Sequence, residues 1–315
     1  MNIYLGARWS ETDYAALTLA AKGDTVWFAE NVAEPTTNDQ AALATTEIVI
    51  GSVPFNLLPT AKMLRWVQLL SVGIDGYGER NRIAAHPTSQ WTNLGGILAD
   101  PIAQTILAGL LALDRGIDQL VRCQLRQDWQ KSHLHPRLHV LRGAQVLLLG
   151  GGSVTRRLRE LLEPFGCKFT VYARTSGDIN TCKDLDDAIR LADLVVAALP
   201  DTLATRQLLD ARRIALFRKS ALFVNVGRGS LVDEGALLGA LQGGHLRGAV
   251  LDVTAREPLP PGDPLWHGAN LILTQHTAAG STGLMSDVLG FVTANLHRYR
   301  SGQRLQGQVD WSRGY

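Results

Sequence analysis

The sequence predicts an α/β protein with two doubly wound parallel sheets, one in each of two domains. The middle of the chain alternates short, continuous apolar runs with longer amphipathic runs, a pattern typical of parallel strands that helices cover on both faces. The first hundred residues repeat this alternation with weaker helices. The pair Gly95 and Gly96, where the backbone is free to bend, separates the two regions. We therefore predict a smaller domain of residues 1–97 plus 281–315 and a larger domain of residues 98–280.

Six apolar runs predict the sheet of the larger domain. Made mostly of Val, Leu, Ile and Ala, they span residues 145–149, 168–173, 194–199, 221–226, 248–253 and 271–275. Helical periodicity or helix-start signals between them predict helices over residues 154–164, 203–217 and 233–242. Repeated strand–helix units of this kind build a doubly wound sheet.

The smaller domain shows shorter runs of the same type. Its strands are predicted at residues 2–5, 25–28, 47–50, 65–70 and 90–92. A long apolar helix over about residues 101–115 follows the glycine pair, and one more helix is predicted over residues 284–299. The polar tail beyond that helix has no strand pattern for the larger sheet, so we expect it to return to the smaller domain.

The composition indicates a globular protein of the cytoplasm. The 315 residues, 46% of them hydrophobic, suffice for two domains. The 31 basic and 29 acidic side chains are spread without a Lys/Arg block, so no nucleic-acid partner is expected. Three cysteines without a C-x-x-C pair indicate neither a disulfide framework nor a zinc site. The first residues lack a signal-peptide pattern and the apolar run at residues 102–113 is too short to cross a bilayer, so no membrane association is expected.

A glycine-rich turn predicts a Rossmann dinucleotide-binding domain. It runs from Gly150 to Thr155, follows a predicted strand and opens a predicted helix, which is the context that a dinucleotide fingerprint requires. Gly150 permits the tight turn and Gly152 lets the backbone approach a pyrophosphate, which the amides of Ser153 and Val154 would then face. Thr155 stands in place of the third glycine, so a plain strand–turn–helix remains an alternative.

The end of the second strand in this domain favours NADP over NAD. An acidic residue that would bind the adenosine ribose is absent at Ala173. Arg174, with Thr175 and Ser176, has the chemistry to bind a 2′-phosphate instead. The alternative is that Arg174 is a solvated loop charge.

Three chemically suitable side chains follow successive predicted strands of the larger sheet. They are Arg228, Glu257 and His276. Because parallel strands end at one edge, and open α/β sheets bind ligands at that edge, we expect the three to lie near one another. Taken singly, His276 and Glu257 have ordinary structural interpretations, the latter as a turn residue before Pro258.

With further motifs in the same order, the chain resembles the D-isomer-specific 2-hydroxyacid dehydrogenases over nearly its whole length. These motifs are residues 69–75 (Leu-Leu-Ser-Val-Gly-Ile-Asp), residues 141–143, Leu199 and Pro200 with Thr205, residues 229–234 and residues 309–315. The resemblance implies a Rossmann domain inserted into a flavodoxin-like substrate domain. It also implies hydride transfer between NAD(P)H and a small 2-keto acid, with a glyoxylate/hydroxypyruvate-type reductase favoured and a phosphoglycerate dehydrogenase-like activity as the alternative. A homodimer is expected through the long helix from Pro101 and the segment through Trp129.

The resemblance also implies roles for individual residues. Arg228 would hold the substrate carboxylate, because its guanidinium is a permanent fork of donors. His276 would donate a proton to the keto oxygen, since histidine titrates near neutral pH. Glu257 would orient and stabilise that imidazole. The backbone amides at Val72 and Gly73 would receive the other side of the carboxylate.

Further residues would bind the cofactor by the same resemblance. Asp252 would take the nicotinamide carboxamide, Val226 and Gly227 would line the cofactor, and the loop with Leu199, Pro200 and Thr205 would lie beside it. Arg228 and His276 would also contact the cofactor. Asp75, within the first motif, is interpreted as a turn or helix-start residue.

The chain departs from the family pattern at several positions. Besides Thr155 and Ala173, Ala255 replaces a frequent Glu, Gln275 replaces the proline that usually precedes the histidine, and Gln104 replaces a common acidic residue. A dinucleotide-sensing binding protein of the same fold, similar to a corepressor, therefore remains the alternative class. Three histidines, His133, His135 and His139, lack a partner motif and predict a solvated loop rather than a metal site.

Overall fold

We describe a computed structural model of the chain. It describes residues 1–7, 9–32, 34–52, 55–74, 77, 88–175 and 177–311. Asp75, Ser176 and the last four residues of the closing motif lie outside this part of the chain. The chain divides into two compact units, Met1–Leu98 with Ser281–Tyr315, and Ala99–Gly280.

Helices alternate with strands in both units. The α-helices, numbered along the chain, are α1 (Glu11–Ala20), α2 (Thr37–Ala44), α3 (Ala99–Asp114), α4 (Ile117–Leu125), α5 (Lys131–Leu134), α6 (Ser153–Leu162), α7 (Cys182–Leu191), α8 (Ala211–Ile214), α9 (Glu234–Gln242) and α10 (Leu284–Arg300). Short 3₁₀ segments occur at Phe55–Thr60, His135–Arg137, Glu163–Phe165, Gly229–Leu231 and Pro264–His267. Within the described ranges, no helix combines the length and the apolar character that crossing a membrane requires.

The smaller unit contains a parallel sheet of flavodoxin-like order. Its strands are β1 (Asn2–Gly6), β2 (Thr25–Phe28), β3 (Ile48–Gly51), β4 (Trp66–Gln68) and β5 (Gln90–Thr92), arranged in the described part of the unit as β2-β1-β3-β4-β5. This 2-1-3-4-5 order is the flavodoxin-like one, so the predicted fold of this unit is confirmed.

The end of the chain packs on this sheet. Val288 and Val292 of α10 lie in the same core cluster as Ile3 of β1 and Ile48 of β3. Beyond α10, Gln308 forms an antiparallel bridge with Thr92 at the end of β5. The smaller unit is therefore assembled from both ends of the sequence.

Asp39 is a buried hydrogen-bonding centre of this unit. Its side chain is fully buried (0% exposed) in the first turn of α2. The carboxylate accepts hydrogen bonds from the Tyr4 hydroxyl (3.2 Å), the Trp27 indole (3.2 Å) and the backbone amides of Glu30 (3.0 Å) and Thr36 (2.9 Å). Burial alone would raise the pKa of Asp39, but these donors, led by the Thr36 and Glu30 amides, lower it to about 2.

Replacing Asp39 by asparagine is expected to destabilise the protein by about 2–3 kcal/mol at pH 7. The NH₂ group of asparagine is itself a donor, so it cannot accept the hydrogen bonds that the surrounding donors make to the carboxylate. The folded-state pKa of about 2 lies below the ordinary 3.8, so the stabilisation is present above about pH 4 and is lost as pH falls through about 2. Urea unfolding of both proteins at several pH values measures this. Asp13→Asn changes the equivalent capping-box residue of α1, which is only partly buried, and is expected to cost less than about 1 kcal/mol. Equal costs for the two variants would contradict the prediction.

The larger unit contains a parallel sheet with the dinucleotide-binding order. Its strands are β6 (Gln145–Leu149), β7 (Lys168–Tyr172), β8 (Leu194–Ala197), β9 (Leu222–Asn225), β10 (Gly248–Leu251) and β11 (Leu271–Leu273), arranged among the described residues as β7-β6-β8-β9-β10-β11. Ile179 adds a single parallel bridge to Tyr172 on the outer side of β7. If this bridge is counted as the third strand, the order is 3-2-1-4-5-6, which is that of a Rossmann fold. The predicted fold class is confirmed.

Burial on both faces explains the continuous apolar runs. Leu147 and Val195 point into the core layer that contains side chains of α7 and α9, whereas their neighbours Leu148 and Val196 point into the layer with side chains of α3 and α6. Successive residues of a strand face opposite sides, so the strands inside this sheet are apolar at successive positions rather than at alternate ones.

Two features of the predicted secondary structure were wrong. Residues 203–217 form turns and the single-turn helix α8 rather than one long helix, because Gln207 has a left-handed φ of 51° and Leu209 pairs with Val232 in an isolated bridge. Strands β8, β10 and β11 end two residues earlier than the apolar runs predicted, and β9 ends one residue earlier. At these ends the chain leaves the sheet and forms the loops that carry the candidate functional residues.

Candidate active site

The loops after β8, β9, β10 and β11 carry most of the predicted site residues. Leu199, Pro200 and Thr205 follow β8, and residues 226–230 follow β9. Residues 252–257 follow β10, and residues 274–278 follow β11. Because the four strands are parallel, all these loops lie at one edge of the sheet.

Glu257 and His276 are in direct contact. The Oε2 atom of Glu257 lies 2.6 Å from Nδ1 of His276, and both side chains are more than one-third exposed to solvent (37% and 52%). The other carboxylate oxygen of Glu257 accepts a hydrogen bond from the Thr254 amide at 3.0 Å. The carboxylate thus holds the imidazole by Nδ1 and leaves Nε2 as the nitrogen available for proton transfer.

Asp252 organises the turn that presents His276. Its side chain is only 5% exposed, and Oδ1 accepts hydrogen bonds from the Thr274 hydroxyl (2.6 Å) and the amides of Thr277 (3.0 Å) and Ala278 (3.1 Å). The backbone carbonyl of Asp252 also accepts a hydrogen bond from the His276 amide at 2.6 Å. The sequence interpretation assigned Asp252 to the cofactor and missed this supporting role.

Gln275 and His276 both adopt left-handed backbone conformations, with φ of 54° and 57°. Such a conformation costs a non-glycine residue roughly 1–2 kcal/mol, which the hydrogen bonds to Asp252 offset. Proline is fixed near φ −65° and cannot occupy this position. The departure from the family pattern at Gln275 therefore agrees with the conformation of the turn.

Asn225 shapes the loop that carries Arg228. Its side chain is fully buried, its Oδ1 accepts from the Gly227 amide at 3.0 Å, and its Nδ2 donates to the Arg228 carbonyl at 2.9 Å. Arg228 is half-buried and its Nη1 donates to the Gly227 carbonyl at 2.6 Å. A Cβ at Gly227 would lie 2.5 Å from the carbonyl oxygen of Leu199, so a residue without a side chain is required. Asn225 was not singled out from the sequence, although a polar residue ending an apolar strand was a usable signal.

The arginine loop packs tightly on the neighbouring loops. A Cβ on Gly229 would lie 1.9 Å from the carbonyl carbon of Thr254, in the turn that leads to Glu257. On the other side, the Ser230 hydroxyl donates to Oδ1 of Asp201 at 2.9 Å. Hydrogen bonding from Arg206, and then from Ser230, lowers the pKa of Asp201. The loops after β8, β9 and β10 are therefore one packed assembly.

The loop after β8 forms a compact turn. The Thr205 hydroxyl donates to the Pro200 carbonyl at 2.6 Å and accepts from the Thr202 amide at 2.9 Å. Leu199 and Pro200 are half-buried. Their backbone borders the arginine loop through Gly227.

The glycine-rich turn has the geometry of an anion-binding helix start. Gly150 has a φ of 116°, and a Cβ there would lie 2.9 Å from the carbonyl oxygen of Ala198. Gly152, the N-cap of α6, would place a Cβ in open space, with nothing within 4 Å. Ser153 and Val154 form the first turn of α6, where amides lack partners within the helix. The bare backbone at Gly152 leaves open space beside the first turn of α6.

Thr155 is accommodated without a buried unpaired hydroxyl. It is 2% exposed, and its Oγ1 donates to the carbonyl of Gly152 at 3.1 Å. Replacement of the third fingerprint glycine therefore leaves the turn intact.

Arg174 and Thr175 are exposed in the turn that follows β7. Asp178, the acidic residue nearby, directs its Oδ2 to the backbone amide of Val171 at 2.8 Å and so is engaged in the turn itself. A Cβ on Gly177 would lie 2.5 Å from the Ala173 amide, which shows how closely the turn folds on the strand end.

Val72 and Gly73 belong to the smaller unit, in the segment after β4. The Val72 carbonyl accepts a hydrogen bond from Asn93 Nδ2 at 2.8 Å, and the Gly73 carbonyl accepts one from the Ser71 hydroxyl at 2.7 Å. These bonds fix the backbone of the segment whose amides were predicted to bind a carboxylate.

Comparison with known proteins identifies the family. The sequence model described as D-isomer specific 2-hydroxyacid dehydrogenase, NAD binding domain, matches residues 107–278. The chain belongs to this family. It is 31% identical over 264 residues to the glyoxylate reductase of Aeropyrum pernix, covering 79% of this chain and 77% of that protein. It is 29% identical over 312 residues to glyoxylate/hydroxypyruvate reductase B of Escherichia fergusonii, covering 91% and 90%.

A solved structure of the family extends the likeness to the whole fold. The D-isomer specific 2-hydroxyacid dehydrogenase from Xanthobacter autotrophicus Py2, in complex with NADPH and MES, has a TM-score of 0.82 and 26% identity, covering 99% of this chain and 100% of that one. The family resemblance inferred from the sequence is confirmed. The chain is therefore an NAD(P)-dependent oxidoreductase of the 2-hydroxyacid dehydrogenase family, and most of its larger unit is the NAD-binding domain.

Proposed function

We propose that this protein reduces a small 2-keto acid of the glyoxylate or hydroxypyruvate type to the D-2-hydroxy acid and uses NADPH in preference to NADH. The contact of 2.6 Å between His276 Nδ1 and Glu257 Oε2, at the sheet edge that also carries Arg228, is the observation that supports it most. The names of the Aeropyrum pernix and Escherichia fergusonii relatives support this substrate class.

The larger unit offers groups that fit a nicotinamide dinucleotide. The amides of Ser153 and Val154 and the open surface at Gly152 would bind the pyrophosphate. Val226 and Gly227, with Leu199, Pro200 and Thr205, would line the cofactor, and Asp252 would bind its carboxamide through Oδ2. When bound, the nicotinamide supplies the hydride.

The chain itself would supply the binding of the substrate and the proton. The Arg228 guanidinium would hold the carboxylate of the keto acid. His276 Nε2 would donate its proton to the keto oxygen as the alcohol forms, and it would accept that proton in the reverse direction. The negative charge of Glu257 stabilises the imidazolium from which the proton leaves and fixes the plane of the ring.

A panel of 2-keto acids tests this function. Purified protein is assayed with glyoxylate, hydroxypyruvate, pyruvate and phosphohydroxypyruvate, each with NADPH and with NADH. We expect fastest turnover of one of the first two with NADPH. Preference for the phosphorylated acid would favour the phosphoglycerate dehydrogenase-like alternative. Dinucleotide binding without turnover of any keto acid would contradict the proposal and favour a dinucleotide-sensing protein.

Replacing Arg174 by glutamine is expected to raise KM for NADPH about 10- to 100-fold and to change KM for NADH little. A charge-assisted hydrogen bond to the 2′-phosphate contributes roughly 1.5–3 kcal/mol, and NADH lacks that group. Steady-state kinetics with both cofactors measures the ratio. Arg190→Gln, at the exposed end of α7, is the control and should leave the ratio unchanged. An equal loss with both cofactors would refute the role of Arg174.

We also propose that the protein is a homodimer that associates through α3, α4 and the segment to Trp129. Apolar side chains of this region are exposed, among them Leu125 (81%) and Trp129 (89%). Leu125→Glu is expected to convert a dimer of wild-type protein to a monomer at micromolar concentration, because it places a charge in an apolar interface. Light scattering coupled to size exclusion measures the mass. Leu191→Glu, on an equally apolar and exposed position of α7 (69%), should stay dimeric. A monomeric wild-type protein would contradict the assignment.

We propose the cytoplasm as the location. Cys123, Cys167 and Cys182 are free thiols in the structure, which is typical of proteins in a reducing compartment. Cell fractionation of the native host tests this.

A further inference from the structure

Glu234 contacts the turn that carries Glu257, although the two residues follow different strands of the sheet. It is the first residue of α9, and its Oε1 accepts a hydrogen bond from the Ala255 amide at 2.7 Å. The helix start is already capped by Asp233, whose Oδ1 accepts from the Ala236 amide at 2.9 Å. The Glu234 carboxylate is therefore engaged by the turn and is not needed as the cap of its own helix.

Two neighbouring amides of the turn are bound by two different carboxylates. The Thr254 amide donates to Glu257 at 3.0 Å, and the Ala255 amide donates to Glu234 at 2.7 Å. The remaining oxygen of Glu257 contacts His276. Because the Ala255 side chain has no polar group, the contact with Glu234 fixes this part of the turn through the backbone alone.

The surroundings of Glu234 are unfavourable for a carboxylate. Burial raises its pKa, and the negative charges of Asp263 and Glu257 raise it further, whereas the hydrogen bond from Ala255 opposes this shift. Keeping a carboxylate half-buried near two other acids costs free energy, which the hydrogen bond from the Ala255 amide offsets in part. Among the described residues, its only hydrogen-bond partner is the Ala255 amide, in the turn that carries Glu257.

We propose that Glu234 is a positioning residue, whose hydrogen bond to the Ala255 amide holds the 254–257 turn so that Glu257 stays on Nδ1 of His276. The catalytic consequence rests on the proposed function. The geometric consequence does not, because the contact between Glu257 and His276 is made by side chains of the protein itself.

Two substitutions separate positioning from simple stabilisation. Glu234→Ala removes the acceptor, whereas Glu234→Gln keeps an amide oxygen that can accept the same hydrogen bond. Asp233→Ala is the matched control, because it removes the cap of α9 and leaves the contact with Ala255 in place. Thermal unfolding of each variant shows whether it is folded.

The first readout is the nitrogen NMR signal of His276 Nδ1 in the free protein at one fixed pH, with its signal among the eight histidines assigned by its loss in His276→Asn. In Glu234→Ala this signal is expected to move away from its wild-type position, since the contact between Glu257 and Nδ1 is no longer held in place. Glu234→Gln and Asp233→Ala should keep the wild-type position.

The second readout is kinetic. Glu234→Ala should lower kcat about 10-fold or more with KM for the dinucleotide within about twofold, and Glu234→Gln should restore most of kcat. If wild-type protein turns over no keto acid, the proposed function fails, while the NMR comparison still decides the role of Glu234. A wild-type position of the His276 Nδ1 signal in Glu234→Ala, or an equal displacement of that signal in Asp233→Ala, would overturn the proposal.

Discussion

Replacing His276 by asparagine is expected to lower kcat for 2-keto acid reduction by about 10²- to 10⁴-fold, the usual contribution of a positioned general acid. Asparagine is also polar, but its amide group is not acidic enough to transfer a proton to the substrate. The dinucleotide affinity, followed by quenching of tryptophan fluorescence, should change by no more than about twofold, because the glycine-rich turn lies on a different loop of the edge.

Two comparisons make this prediction specific. Glu257→Gln should reduce kcat less, by about 10- to 100-fold, because it removes the charge that supports the imidazolium and leaves the imidazole itself. His297→Asn, on the exposed side of α10, should have wild-type kinetics. If the His276 variant keeps more than about one-tenth of wild-type kcat, the proton would have to come from another group.

Replacing Gly229 by alanine is expected to destabilise the protein by about 2–4 kcal/mol and to lower kcat in the fraction that folds. The new methyl group would lie 1.9 Å from the backbone carbon of Thr254, so the loop of Arg228 and the turn of Glu257 must separate. A flexible side chain could move aside, but two backbone segments cannot do so independently of the strands that hold them. Urea unfolding measures the first effect and steady-state kinetics the second.

Gly239→Ala is the matched control for this change. Gly239 is an exposed residue inside α9, and a Cβ there meets nothing within 4 Å. Alanine is the better helix former, so this variant should be more stable by about 0.5–1 kcal/mol with unchanged kcat. Wild-type stability in both variants would show that the two loops are not packed as described.

The fold was predictable from the sequence wherever burial produces a continuous run of apolar residues. Strands such as β6 and β9 are covered on both faces, so their residues are apolar except Gln145 at the start of β6 and Asn225 at the end of β9, and the apolar run marks the strand. Ile179 was missed because a one-residue bridge has no periodicity. The helix predicted over residues 203–217 was wrong because its polarity pattern does not record the left-handed turn at Gln207.

The candidate site was only partly predictable for a different reason. Arg228, Glu257 and His276 are recognisable because their side-chain chemistry and order along the chain resemble one family, although their roles remain predictions. Asn225 and Glu234 act through hydrogen bonds to backbone amides of other residues, which no local pattern encodes. Asp252 likewise supports the turn at His276 through a hydrogen bond from the Thr277 amide, and these two residues are far apart in the sequence.

The order in which the two units are encoded has a consequence for synthesis. The larger unit is one continuous stretch, whereas the smaller unit is made from both ends of the chain. Val292 and Leu296 of α10 complete the core that contains Ile3. The strands of this sheet therefore leave the ribosome long before the helix that covers them has been synthesised. At a synthesis rate of about 5–20 residues per second, the apolar face of this sheet stays uncovered for roughly ten to forty seconds while the larger unit is synthesised. Chaperone binding or aggregation would compete with folding during this interval.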